Sequence, residues 1–369
     1  MFQIASHPSS FNSMHSHGHG HSQSHAHQNS QYSRSYASSS FSFPPNIQLP
    51  RRLSRPAFTE LSREAIVSSC PELREVPAEY IKNGMRPKAE QMMKGISALM
   101  SADLPSTLPR CRVVQDTFRL SVREPLNPAH QVSAAYIPNC VLAVSKAPPP
   151  SSRNAPASYG PMDPVHFFPM HSAILALNCS ILPTRTLPRM YSHTDRTPSK
   201  VELPLIHISL PSITHFRDLH SYMYTGSLSL IFFSLLPIPP SVLGLPPSVS
   251  PTSKHYSPLY PHPKTGARHP SELSRTMVRT ALGSPDTLYQ LSSHLYQLAF
   301  GNGGMGIPGV IGGGVKGLLN QTAVVKDMWQ DVVALGMNDP DLWDVLDLAW
   351  EVVLGALNLG FAAEQAQSM

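Results

Sequence analysis

The chain has 369 residues, with 38 prolines against 21 glycines and only 14% charged residues. Proline at roughly twice its usual frequency excludes a single compact domain. The formal charge of +5 hides a gradient: residues 1–316 carry 27 Lys and Arg against 15 Asp and Glu, a net of +12, whereas 317–369 carry one Lys against eight acids, a net of −7. Such asymmetry favours contacts between regions of the chain or with partners over bulk nucleic-acid binding.

Residues 1–55 are a low-complexity tail in which His15, His17, His19, His21, His25 and His27 alternate with small polar residues. This composition cannot supply a core, so the tail is expected to be disordered. Alternating imidazoles can chelate a transition metal, but a flexible tract gives no fixed geometry, and no metal or cofactor is assigned. The beginning, Met1-Phe2-Gln3-Ile4, has neither the basic start nor the apolar run of a signal peptide. The four cysteines, Cys70, Cys111, Cys140 and Cys179, have no C-x-x-C or zinc spacing and read as buried thiols of a reducing compartment. An intracellular location, nucleus and/or cytoplasm, is expected. Arg51-Arg52-Leu53-Ser54-Arg55 closes the tail and reads as solvated linker, a weak nuclear address or a site for a basophilic kinase.

Residues 56–133 read as helices and short strands. A helix start is expected at Thr59, before Glu60, Leu61 and Glu64, and Met92, Met93, Ile96, Leu99 and Met100 at helical spacing predict a helix over 87–100. This methionine stripe reads as a core face. Val113, Phe118, Leu120 and Val122 predict one or two strands within 110–122. In residues 134–235 a strand is expected at Cys140–Ser145, then a Pro/Ser/Ala loop over 147–164, an apolar run at Val165–Met170 and a helix at Ser172–Leu177. Phe216, Leu219 and Met223 lie on one helical face that ends at Gly226, expected in the left-handed conformation.

Leu228–Leu236 is almost wholly apolar within a stretch, 219–253, that has no Asp, Glu, Lys or Arg. A membrane anchor through this run is the alternative reading. The prolines beginning at Pro237 would break the helix well short of the ~20 residues a bilayer needs, so a buried segment leading into a proline-rich loop over 236–270 is favoured. Residues 271–300 predict a helical pair, the second helix capped by Ser284 with Pro285 at its first position and stopped by Gly301. Gly301-Asn302-Gly303-Gly304-Met305-Gly306 matches a dinucleotide fingerprint literally, but it follows a helix rather than a strand, so 301–317 reads as a flexible connector.

Residues 318–360 predict an acidic antiparallel helical hairpin. Val324, Val325, Met328, Trp329, Val332 and Val333 form an apolar face that stops at Gly336, and Asp339 caps a second helix with Pro340 at its first position. Trp343 and Trp350, with Asp344, Asp347 and Glu351 beside them, form a candidate partner-binding face of the helix-in-groove kind. The competing reading puts the tryptophans in the core and the acids on a solvated face.

Two resemblances follow from these blocks. The strand Cys140–Ser145, the strand Val165–Met170 and the helix opening His171-Ser172-Ala173-Ile174-Leu175 resemble the start of a BTB/POZ domain; Ser199–Leu203 is similar to its third strand, and Phe216 to Tyr224-Thr225-Gly226 to a later helix end. The loop over 147–164 and the proline-rich run after Gly226 depart from that pattern. With the His/Ser-rich start, Ser271-Glu272-Leu273 before a helical pair and the late Asp339-Pro340-Asp341-Leu342-Trp343-Asp344, the chain resembles the clampless-type developmental proteins of basidiomycete fungi. That resemblance implies a non-enzymatic regulator of sexual development, downstream of mating-type homeodomain factors in clamp-cell formation and dikaryon proliferation.

The resulting expectation is an α+β protein: a BTB/POZ-like α/β core, a helical C-terminal region and a disordered N-terminal tail. It would act through protein partners, with transcriptional regulators of the mating pathway among the candidates, and a homo-oligomer is left open. No zinc finger, basic zipper or helix-turn-helix spacing supports direct nucleic-acid binding, so a transcriptional role would run through partners. No H-E-x-x-H, G-x-S-x-G or paired-carboxylate arrangement points to catalysis, and no catalytic residue is assigned.

Overall fold

The computed structural model describes residues 49–100, 102–110, 113, 116–123, 132–147, 163–184, 186–192, 198–245, 272–301 and 312–368. The His-rich tract, nearly all of the 147–164 loop, most of the 236–270 loop and the glycine run from 302 lie outside them. The chain divides into two units, Met1–Ser54 and Arg55–Met369. In the first, residues 49–54 form neither helix nor strand. The second is a mixed α+β unit.

Its first helix, α1 (Arg63–Ser69), begins later than expected. Ser62, not Thr59, is the cap: its hydroxyl accepts the Ala65 N–H at 3.2 Å, while the Thr59 carbonyl is taken by the Asn338 amide at 2.9 Å. α2 (Ala78–Met85) follows, then α3 (Ala89–Ala98). The methionine stripe is core, with Met92, Met93 and Ile96 buried. The helix ends before Leu99 because that residue turns extended and bridges to Val122, leaving Met100 partly exposed.

The strands are β1 (Thr107–Pro109), β2 (Thr117–Ser121), β3 (Cys140–Lys146), β4 (Pro164–Met170) and β5 (Lys200–Leu210), and they form one sheet in the order β1-β4-β3-β5-β2. β3 pairs antiparallel with β4, Leu142 opposite Phe168, and parallel with β5, Leu142 opposite Ile206. All its residues from Cys140 to Ser145 are buried, which is why it reads as an unbroken apolar run rather than an alternating one. On one face Val141, Ala143, Phe167, Val201, Leu203 and Phe118 share a core. On the other, Phe168 meets Phe216 edge to face at 4.9 Å. β5 is longer than the expected Ser199–Leu203 strand because it serves two neighbours, β3 along its second half and β2 along its first.

α4 (Ser172–Asn178) follows β4, and α5 (Phe216–Thr225) follows β5, ending on Gly226 at φ 62° as expected. Directly after it, α6 (Leu228–Leu235) puts the apolar run into a helix capped by the Ser227 hydroxyl. Its eight residues rise about 12 Å, against roughly 30 Å of hydrocarbon in a bilayer. Leu228, Ile231, Phe232 and Leu235, at i, i+3, i+4 and i+7, are buried within the protein.

The helical region contains α7 (Arg275–Gly283), α8 (Pro285–Phe300), α9 (Gly314–Leu335) and α10 (Pro340–Ser368). Ser284 caps α8 through the Thr287 N–H, with Pro285 at the first position. Gly301 does close α8, but in an extended conformation, φ −70° and ψ 146°, rather than left-handed. The connector expected over 301–317 is shorter than its glycine content implies, since α9 already begins at Gly314, and the last helix continues past 360 to Ser368. α9 ends on Gly336 at φ 64°, as the apolar pattern predicts. Its last carbonyls are taken by the residues just after α4: the Ile181 N–H donates to Leu335 O and the Ser180 hydroxyl to Gly336 O at 2.8 Å.

Among the described residues one helix, over Pro340–Ala366, is long and apolar enough to cross a membrane. Here it is the central helix of the unit. From Leu342 to Leu357 it is apolar apart from the stripe of Asp344, Asp347 and Glu351, and buried at Val345, Leu346, Ala349, Val352, Val353 and Ala356, as expected of a core helix with others packed around most of it.

Candidate functional site

The start of α10 concentrates the acidic end of the charge gradient. Asp339 caps the helix by accepting the Asp341 N–H at 3.1 Å, and its other carboxylate oxygen takes the Lys82 ammonium at 3.0 Å. Burial opposes ionisation of Asp339, but Lys82, the Asp341 N–H and the Tyr222 hydroxyl outweigh it and hold the carboxyl below its ordinary range. Tyr222, largely desolvated and facing Asp339, is pushed strongly upward and stays a phenol. Further along, Asp341 meets Arg275, Asp344 meets Arg55 at 3.0 Å and Arg279 at 2.9 Å, and Asp347 meets Arg55 at 2.5 Å. Exposed pairs of this kind contribute about 0–1 kcal/mol each, so the row fixes register more than it adds stability.

This places each residue of the candidate partner-binding face. Asp344 and Asp347 form one half-buried stripe with Asp341 and Glu351, and the first two are bound by arginines of the same chain. Trp343 and Trp350 border this stripe but point inward, 3% and 2% exposed. Trp343 donates its indole N–H to the Met337 carbonyl at 2.9 Å, within the connection between α9 and α10. The tryptophans therefore belong to the core, because the helix turns its apolar side into the bundle and its acids toward Arg55, Arg275 and Arg279. Trp343→Ala is expected to lower unfolding free energy by roughly 3–5 kcal/mol, measured by urea denaturation. An unchanged midpoint would restore the surface reading.

An open groove of about 880 Å³ lies next to this row, between residues 58–63, α2 and the start of α10. Phe58, 80% exposed, stands at its edge, with Leu61, Ile66 and Leu177 as apolar lining and Arg86 as a charged one. Lys82 and Arg275, which also line it, are engaged by Asp339 and Asp341, whereas Arg86 makes no ion pair among the described residues. Sequence reasoning did not single out Phe58, Arg86, Lys82, Arg275 or Arg279. The gradient of charge was the available signal for the cations; nothing in the sequence marks Phe58.

Other titratable groups are structural. The His171 Nε2–H donates to the Tyr136 carbonyl at 3.1 Å, leaving Nδ1 to accept the Tyr224 hydroxyl at 2.9 Å. Burial lowers His171 and His220 to about 4, so both are neutral near pH 7. His166, partly buried near Arg217, is also lowered. Cys70, Cys140 and Cys179 are buried and free, and desolvation raises their thiols, Cys70 to about 11 and Cys179 to about 12. They are inert in this setting. Among the described residues no cluster of His, Cys, Asp or Glu could hold a metal ion.

Comparison with protein families matches residues 56–211 to the Clampless protein 1 N-terminal domain and residues 313–369 to the Clampless protein 1 C-terminal domain. The two matches together cover more than half of the chain, in the family's order. The chain belongs to the clampless-type family. Searches of the curated proteins and of the solved structures found no match. Membership of the clampless-type family indicates a role in clamp formation in fungi. In this clampless-type chain the groove draws its walls from both matched stretches, Phe58 to Asn178 from the first and Asn338 to Pro340 from the second.

Proposed function

We propose that the chain acts in clamp formation as a non-enzymatic binding protein, and that the groove beside α10 is where it takes a protein partner. The observation that carries this reading is an exposed aromatic, Phe58, next to apolar lining and an arginine without an ion pair among the described residues. Aromatic and arginine side chains supply most of the energy at protein interfaces. The fitting occupant is a segment of a partner protein that presents an apolar side chain beside a carboxylate, the first against Phe58 and Leu61 and the second on Arg86. A regulator of the mating pathway and of dikaryon proliferation, in the nucleus or cytoplasm, is the setting we infer for such a contact.

The core is read here as BTB/POZ-like. Support comes from the hairpin of β3 and β4, the helix opening at Ser172, the parallel strand β5 and the helix that closes on Tyr224-Thr225-Gly226. The expected test is genetic and biochemical together. In a strain lacking the protein, the wild-type chain restores clamp cells, whereas Phe58→Glu with Arg86→Glu does not, although the purified variant keeps the wild-type circular dichroism and urea midpoint. Full restoration by the folded variant would remove the groove from the function. Affinity purification from mating cells with both proteins then identifies the partner lost with the groove.

A further inference from the structure

The basic cluster at the end of the tail is used neither by the groove nor by family membership. Arg51-Arg52-Leu53-Ser54 sets two arginines three and two residues before a serine, a spacing that a kinase cleft lined with carboxylates can grip through both guanidinium forks. Arg51, Arg52 and Ser54 are exposed and Leu53 is buried, in backbone that is neither helical nor paired in a sheet.

The residue that follows is Arg55, whose guanidinium holds Asp344 at 3.0 Å and Asp347 at 2.5 Å. We propose that Ser54 is a phosphorylation site for an arginine-directed serine/threonine kinase, and that the phosphate competes with Asp344 and Asp347 for Arg55. In the transfer, the Ser54 hydroxyl oxygen bonds to the γ-phosphorus of ATP as the bond from that phosphorus to the β–γ bridging oxygen breaks. ADP leaves, and the hydroxyl proton passes to the kinase's carboxylate base. The product carries a charge of about −1.5 to −2 and three strong acceptor oxygens one residue from Arg55. Asp344 retains Arg279 at 2.9 Å, so the start of α10 stays compensated. The consequence is local: Arg55 and the residues after it come away from the helix without unfolding the unit. Because Phe58 to Leu61 lie only a few residues on and line the groove, the phosphate controls one wall of it.

The test uses the full purified chain with ATP and the catalytic subunit of a cyclic-nucleotide-dependent kinase. Mass spectrometry is expected to map phosphate to Ser54. Ser54→Ala removes that label, and Arg51→Ala with Arg52→Ala reduces it to background. In the phosphorylated chain, amide exchange over residues 55–62 is expected to quicken roughly threefold, as it does in Arg55→Ala. Ser54 left unlabelled while a free Arg-Arg-Leu-Ser peptide is labelled would overturn the site. Labelled Ser54 with unchanged exchange would overturn the competition for Arg55. Neither readout depends on a partner occupying the groove.

Discussion

Gly95→Ala is expected to cost roughly 3–5 kcal/mol of unfolding free energy and to leave little folded protein at physiological temperature. Gly95 lies in the last turns of α3, where the helix backbone passes so close to the turn at Ala134–Tyr136 that a Cβ would overlap the Tyr136 carbonyl oxygen. The obstacle is backbone, which cannot rotate aside as a side chain would. That same carbonyl accepts the His171 Nε2–H, and His171 in turn is held by Tyr224 through both its ring and its backbone N–H. Moving the carbonyl therefore leaves a buried imidazole donor unpaired, which adds about 1–3 kcal/mol to the steric cost. Urea denaturation and soluble yield measure the effect. Gly84→Ala, on α2 where a Cβ meets nothing within 4 Å, is the control, expected to equal wild type in stability or exceed it by up to about 1 kcal/mol.

The sequence made some of this fold plain and hid the rest for physical reasons. β3, α5 and α8 are each specified locally, by an apolar run, by a helical stripe ending on Gly226, and by the Ser284-Pro285 cap, and each lies where its pattern puts it. Boundaries set by distant residues were not legible. The start of α1 depends on Asn338 taking the Thr59 carbonyl, and the end of α3 depends on Leu99 pairing with Val122. The two tryptophans of α10 admitted both a core and a surface reading because the arginines that meet the neighbouring acidic stripe come from distant parts of the chain, which the helix's own pattern does not show.

The charge gradient was the most informative of the global features, and its meaning lies in particular pairs. Cations from three separate parts of the basic region, Arg55, Lys82 and the pair Arg275 and Arg279, meet the four aspartates from Asp339 to Asp347. Contact between regions of the chain accounts for the acidic helix. The two stretches matched to the family are accordingly parts of one folded unit. They are joined directly by Lys82 on Asp339 and by Ile181 and Ser180 on the end of α9, and Ser212, one residue past the first stretch, binds Asp331.

Asp331 gives that junction a dependence on pH. Its side chain is fully buried on α9; one carboxyl oxygen accepts the Ser212 N–H just beyond β5 at 2.8 Å, and the other has no hydrogen-bond partner among the described residues. Desolvation raises the carboxyl from 3.8 to about 8, against the opposing Ser212 bond and with a further push from Asp327. A group raised on folding binds its proton more tightly in the native state than in the unfolded chain. Between the unfolded value and about 8, stability therefore falls as pH rises, by at most about 1.4 kcal/mol per pH unit. His171 and His220, lowered from 6.5 to about 4, add an opposite slope that fades above the unfolded histidine value, but it is common to wild type and Asp331→Asn and cancels in their comparison. Asp331→Asn keeps an acceptor for the Ser212 N–H and has no proton to lose. The urea midpoint of the wild-type protein is expected to fall from pH 6.5 to 8.5 more steeply than that of Asp331→Asn, with the variant ahead by roughly 1–3 kcal/mol at the upper pH. Parallel slopes for the two proteins would mean that the carboxyl of Asp331 is already ionised when the unit is folded.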